Sequence, residues 1–98
     1  MLTIIGNRGS GKAKQLMEAA AKTNGTILTQ NKRALYVKAH SYGYNNLNII
    51  DYEDLRNPGT QIPDSPIYVH NGDKVLAWLL EKYYGISIAG FSATLEEE

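Results

Sequence analysis

The segment IIGNRGSGKAK, residues 4–14, decides how the rest of this chain is read. Two apolar residues lead into Gly6, four residues separate Gly6 from Gly11, and Lys12 follows at once. That is the spacing G-x-x-x-x-G-K, a turn whose backbone N–H groups face a phosphate while the lysine reaches its outer oxygens. Glycines suit the turn because a side chain would block the approach of an anion to the amides. A helix starting near Gly11 adds its own unpaired N–H groups and the positive end of its dipole. The expected binding set is Gly6, Asn7, Arg8, Gly9, Ser10, Gly11, Lys12 and Ala13, with ATP or GTP as ligand. The plain alternative is a glycine-rich turn with Arg8 and Lys12 simply solvated.

Ala13 breaks the pattern at one point. The residue after the lysine is normally Ser or Thr, whose hydroxyl ligates the magnesium ion carried by the nucleotide. Here that position falls on the same helical face as Leu16, Met17 and Ala20, which suits core packing. The expectation is a nucleotide site with Mg2+ weakly held and metal-assisted hydrolysis impaired.

The context of the loop is a strand before it and an amphipathic helix after it. LTIIG, 2–6, is a short apolar run ended by glycine, and Asn24-Gly25 stops the helix that follows. GTILTQ reads as a second strand. Asn31 caps a second helix whose Leu35, Ala39 and Tyr42 share a face, with Gly43 ending it. LNIID, 47–51, reads as a third strand, and YEDLRNPGTQIPDSP, which holds all three prolines, as a helical turn and a loop. IYV, 67–69, is a fourth strand. A third long helix carries Val75, Leu76, Leu79, Leu80 and Tyr83 as its apolar stripe up to Gly85, and ISIAGF reads as a fifth strand. Strands alternating with helices predict a three-layer α/β fold: a mostly parallel sheet of about five strands with helices on both faces. The whole chain, 1–98, reads as one domain with an acidic tail at 95–98.

Composition narrows the class. The 98 residues are 43% apolar and 20% charged, as in ordinary globular chains, and contain no Cys, so neither a disulfide framework nor a thiolate metal site is available. No apolar run approaches the roughly 20 residues of a membrane span. The first residues read as a strand rather than a signal peptide, and a cytoplasmic protein is the expectation. Net charge is zero, yet residues 1–50 hold seven basic side chains against Glu18, and residues 51–98 hold nine acids against Arg56, Lys74 and Lys82. Either a positive field surrounds the loop and draws in anions, or folding brings the halves together and the field cancels.

A carboxylate at the end of a neighbouring strand usually completes the metal site. Two positions compete for it. Asp51 ends LNIID, with Glu53 close behind; the alternative is the end of IYV, where His70 and Asn71 stand and no acid is available until Asp73.

The order of segments resembles the first ATPase domain of superfamily 2 helicases and translocases, a branch of the P-loop NTPases with a RecA-like sheet. GNRGSGKA is similar to their first motif, TILTQNKRALYVKA to the strand and basic turn that touch the nucleic-acid backbone, and IYVHNGDKVLAWLL to their acid-bearing strand and helix. Ser92-Ala93-Thr94 in ISIAGFSATL resembles the element coupling nucleotide state to strand movement. The resemblance spans nearly the whole chain and implies nucleotide binding, with Thr29, Lys32 and Arg33 facing nucleic acid. The departures, Ala13, His70 and Asn71, together with the lack of a second ATPase domain, imply a minimal, degenerate, phage-type form. Its counterpart reading is a pseudo-ATPase module that engages nucleic acid or a protein partner without turnover.

Other residues weigh less. His70 beside a strand end fits a hydrogen-bonded structural role, and His40 faces solvent on its helix. Tyr36, Tyr42 and Tyr83 are expected in the core, with Tyr44, Tyr52 and Tyr84 at its margin. SYGYNN could stack unpaired bases. Trp78 falls between the apolar stripe and the polar face, where an exposed indole would mark a partner surface.

Overall fold

A computed structural model describes residues 11–57, 59, 63–90 and 92. The expected first strand, Gly6, Asn7, Arg8, Gly9 and Ser10 of the loop, and the acidic tail lie outside the described residues.

Helix α1, Lys12–Thr23, begins after Gly11 at φ +83° and ends at Asn24, φ +53°. Both are left-handed positions, which glycine and asparagine tolerate best. The chain then turns through Gly25 into strand β1, Thr26–Thr29. A Cβ at Gly25 would stand 2.7 Å from the Tyr68 ring and 2.8 Å from the Pro66 carbonyl oxygen, so only glycine lets the two segments approach. Helix α2, Lys32–Ser41, is capped by the Asn31 side chain, which accepts from the Ala34 amide at 3.1 Å. Strand β2, Asn48–Asp51, runs directly into the one-turn helix α3, Tyr52–Arg56. Strand β3, Ile67–Val69, leads to helix α4, Gly72–Tyr84, closed by Gly85 at φ +66°.

The strands form a parallel sheet in the order β2-β1-β3. Central β1 is buried at every residue, as a parallel strand covered on both faces must be. Leu28 aligns with Ile50 on one side and Val69 on the other. Buried Thr26 is paired at the amino end of the sheet, with Ser65 Oγ at 2.9 Å and with Asn48 Nδ2 donating at 2.8 Å. Such pairing offsets the cost of burying a hydroxyl.

Ala13, Met17 and Ala20 of α1 pack with Leu35 and Ala39 of α2 on Ile27 and Ile49. Met17, Ala20 and Ile27 are fully buried. Side chains alternate along a strand. Leu28 therefore faces away from Ile27, and it and Val75 of α4 are the buried apolar residues outside that cluster. Helices α3 and α4 meet through Tyr52 and Trp78, whose ring centroids lie 5.3 Å apart, and through Lys82 Nζ to Glu53 at 3.1 Å.

Three expectations are corrected. Among the described residues the sheet has three strands, not about five: Ile86–Gly90 of the expected fifth strand is irregular. The Ile86 amide folds back onto the Leu80 carbonyl to close α4, and a strand exists only where a neighbour takes its backbone groups. Tyr36, Tyr42 and Tyr83 are 39%, 41% and 45% exposed rather than core; Tyr44 and Tyr68 are the tyrosines that pack on the main cluster. Tyr42 has already left the helix as its C-cap, so it no longer shares the face of Leu35 and Ala39. Leu76 is likewise exposed, leaving Val75 as the buried anchor of α4. No helix among the described residues is long and apolar enough to cross a membrane.

Candidate functional site

Connectivity fixes where the start of α1 lies. The end of α1 turns tightly into the start of β1, the Gly25 amide donating to the Ala20 carbonyl at 2.8 Å. Helix and strand are thus antiparallel, and Gly11-Lys12 sits near the carboxyl ends of the strands, where open parallel sheets bind ligands. No side chain caps the first turn of α1 and no acid stands in it, among the described residues. Its leading amides are of the kind an anion satisfies. Of the expected binding set, Gly11 holds the left-handed turn and Lys12 opens the helix; Ala13, 7% exposed, belongs to the core.

The strand ends bring two distinct groups together. At β3, the His70 amide donates to the Leu28 carbonyl at 2.9 Å, extending the ladder, and its Nδ1 lies 3.1 Å from the hydroxyl of buried Thr29. Burial, then the charges of Lys38, Lys12 and Lys74, push the His70 imidazole below its ordinary pKa. The three lysines belong to three different helices, α2, α1 and α4. Asn71 beside it is left-handed at φ +53° and caps α4 with no side-chain bond.

At β2 the acids are already engaged. Asp51 Oδ1 accepts from the Asp54 amide at 3.0 Å, and the Asp51 amide donates to Asp54 Oδ2 at 3.0 Å, a reciprocal capping box on α3. Asp54 in turn receives Lys32 Nζ on both oxygens, at 3.0 and 2.9 Å. Lys32 first, and the Asp51 amide next, hold the Asp54 carboxyl below the usual carboxylate range, while Asp54 raises Lys32. Asp51, a candidate metal acid by its place in the sequence, serves here as a helix cap, and Lys32, a candidate nucleic-acid contact, spends its charge on Asp54. Sequence reading passed over Asp54; the D-x-x-D spacing of DYED, 51–54, is the signal that marks it.

Between β1 and β2 an open cleft of about 610 Å³ is lined by Gln30, Asn31, Lys32, Arg33, Asp51 and Trp78. Trp78 is half-buried there, with Lys82 Nζ 4.7 Å from its ring centroid. A hollow of about 500 Å³ at the opposite, amino end of the sheet is lined by Asn24, Asn45, Asn46 and Ser65 among others, with no charged side chain. The carboxyl end is the one that carries cations. Among the described residues no three His, Asp or Glu side chains converge as a metal site would require. No family model matches the chain, and neither a curated protein nor a solved structure does.

Proposed function

We propose that this chain is a nucleotide-binding domain of the P-loop ATPase class, a compact relative of the first ATPase domain of superfamily 2 helicases and translocases. Lys12 and the loop amides grip the phosphates of ATP or GTP, and independent hydrolysis is weak or missing. The observation that carries this reading is the left-handed Gly11 followed by Lys12 at the head of α1, beside the carboxyl ends of a parallel sheet. A G-x-x-x-x-G-K turn needs that placement to aim its amides at a phosphate. The α/β layering and the lysine charge around His70 support it further.

Poor turnover follows from the residues around the loop. Ala13 turns a methyl into the core where a hydroxyl would reach metal, and His70-Asn71 follow β3 where an acid and a base would activate water.

Titration of ATP and GTP into the wild type and Lys12→Ala tests this. Binding in the micromolar range that collapses in the variant supports the reading. Negligible binding by both proteins leaves the pseudo-ATPase module as the function. For that module the cleft with Arg33 and Trp78 is the specific feature, and salt-dependent retention on single-stranded DNA is its test.

A further inference from the structure

We propose that Asn71 is a site of spontaneous covalent modification: in the folded chain it deamidates to aspartate and isoaspartate well ahead of Asn24, although both precede a glycine. This inference is independent of the nucleotide-binding reading. An Asn-Gly step favours the reaction because glycine puts no side chain beside the attacking nitrogen. That nitrogen gives up its proton to solvent and attacks Cγ of the asparagine. The new bond from Cγ to the glycine nitrogen replaces the bond from Cγ to Nδ2, and ammonia leaves a closed succinimide. Water then opens the ring at either carbonyl, so water is consumed, ammonia is released, and a neutral amide becomes a carboxylate with no change of oxidation state.

The two steps share a backbone conformation and differ at the nucleophile. Asn24 and Asn71 are both left-handed, each at φ +53°. The Gly25 amide donates to the Ala20 carbonyl at 2.8 Å, and Gly25 is buried against Tyr68 and the Pro66 carbonyl. Attack on Asn24 therefore has to wait until that bond breaks and the turn from α1 to β1 opens. Gly72 is exposed and is the first residue of α4, where a helix offers its amides no acceptor. Its amide has no hydrogen-bond partner among the described residues, and the Asn71 side chain makes no capping bond that would hold Cγ away. Side-chain exposure alone would choose Asn24, the more open of the two asparagines. Burial of its nucleophile reverses that order. The aspartyl product puts a negative charge at the amino end of α4, where the helix dipole favours one, and the isoaspartyl product lengthens the backbone between β3 and α4 by a methylene.

The test is incubation of the intact chain in mildly alkaline buffer, with peptide mapping by mass spectrometry at intervals and isoaspartate read by chromatographic splitting of each peptide. Asn71 should convert faster than Asn24 by at least about tenfold, since a hydrogen bond must break before Asn24 can react. In urea concentrated enough to unfold the chain, the two rates should converge. Gly72→Ala should slow conversion at Asn71 and leave Asn24 unchanged; the added Cβ would meet only Val69 Cγ1 at 3.8 Å, an ordinary contact. Equal native rates, or Asn24 ahead, overturn the proposal. A preference for Asn71 that persists undiminished in urea overturns the role given to the fold, and an unslowed Gly72→Ala overturns the attack by the Gly72 nitrogen.

Discussion

Two junctions flank the carboxyl end of β1, and they treat charge in opposite ways. On the β2 side, the Lys32 ammonium pairs with Asp54, and Asp51 and Asp54 each accept from the other's backbone amide, so the set is closed. On the β3 side, burial first, and then the charges of Lys38, Lys12 and Lys74, disfavour the charged form of the His70 imidazole. The sequence halves of opposite sign therefore cancel at one seam of the sheet and not at the other. A junction whose charged groups already have hydrogen-bond partners serves stability; one that gathers like charge costs stability until an anion arrives. The contrast predicts that changes on the β2 side should read out in folding, and changes on the β3 side in ligand affinity.

The largest expected effect lies away from both junctions, at the amino end of the sheet, where β1 and β3 approach each other. In Gly25→Ala the new methyl would collide with the Pro66 carbonyl and the Tyr68 ring, and a backbone oxygen cannot swing aside as a flexible side chain can. The cost should be about 2–3 kcal/mol, in the range of overpacked interiors. For a chain of this size that lowers Tm by about 10 °C or more, readable by thermal circular dichroism. A loss within experimental error would mean that β1 and β3 are not held this closely.

Smaller effects separate the roles of the two acids. Asp51→Ala removes the cap of α3 and should cost about 1 kcal/mol, whereas Asp51→Asn keeps a good cap and should be nearly neutral. Neither should alter ATP affinity in magnesium; a large loss in Asp51→Asn would restore Asp51 as a metal acid. Asp54 carries the acid dependence of the same junction. Its folded pKa is depressed, so the stability it contributes is present above the ordinary carboxylate range and disappears as pH falls through the folded value. Denaturant titrations should show the wild type ahead of Asp54→Asn at neutral pH, and the gap closing below pH about 4.

Much of the local architecture was legible because single residues punctuate it. Asn24-Gly25, Asn31 and Gly85 stand at the helix boundaries their types require, two of these elements closing through left-handed residues. ISIAGF misled because alternation shows only that a segment can be a strand; whether it is one depends on a partner distant in sequence. The site was legible in part for the same reason. Lys12 belongs to a local motif, but His70 meets Thr29 only through the β2-β1-β3 order, which places the ends of β3 and β1 side by side. No short pattern carries that crossover. Asp54 lay within reach, since a capping box is a local spacing, but in the sequence Asp51 invites comparison with a metal acid and draws attention away from its neighbour.

His70 gives the finest measure of the difference between the junctions. Its folded pKa lies below the ordinary histidine value, so the folded state binds fewer protons than the unfolded chain in the window between the two. Stability is then fully present above pH about 6.5 and is lost as pH falls through the folded value. Imidazole resonances followed by NMR should place the His70 midpoint below the ordinary histidine value. Lys38→Gln should raise it only slightly, because burial outweighs each lysine as the cause. Under the nucleotide-binding reading, saturating ATP should raise it further, since phosphate charge at Lys12 offsets one of the charges that disfavour the imidazolium. If ATP binds and the His70 midpoint does not move, the phosphates rest away from His70, and the β3 junction is no more a ligand site than the β2 junction beside it.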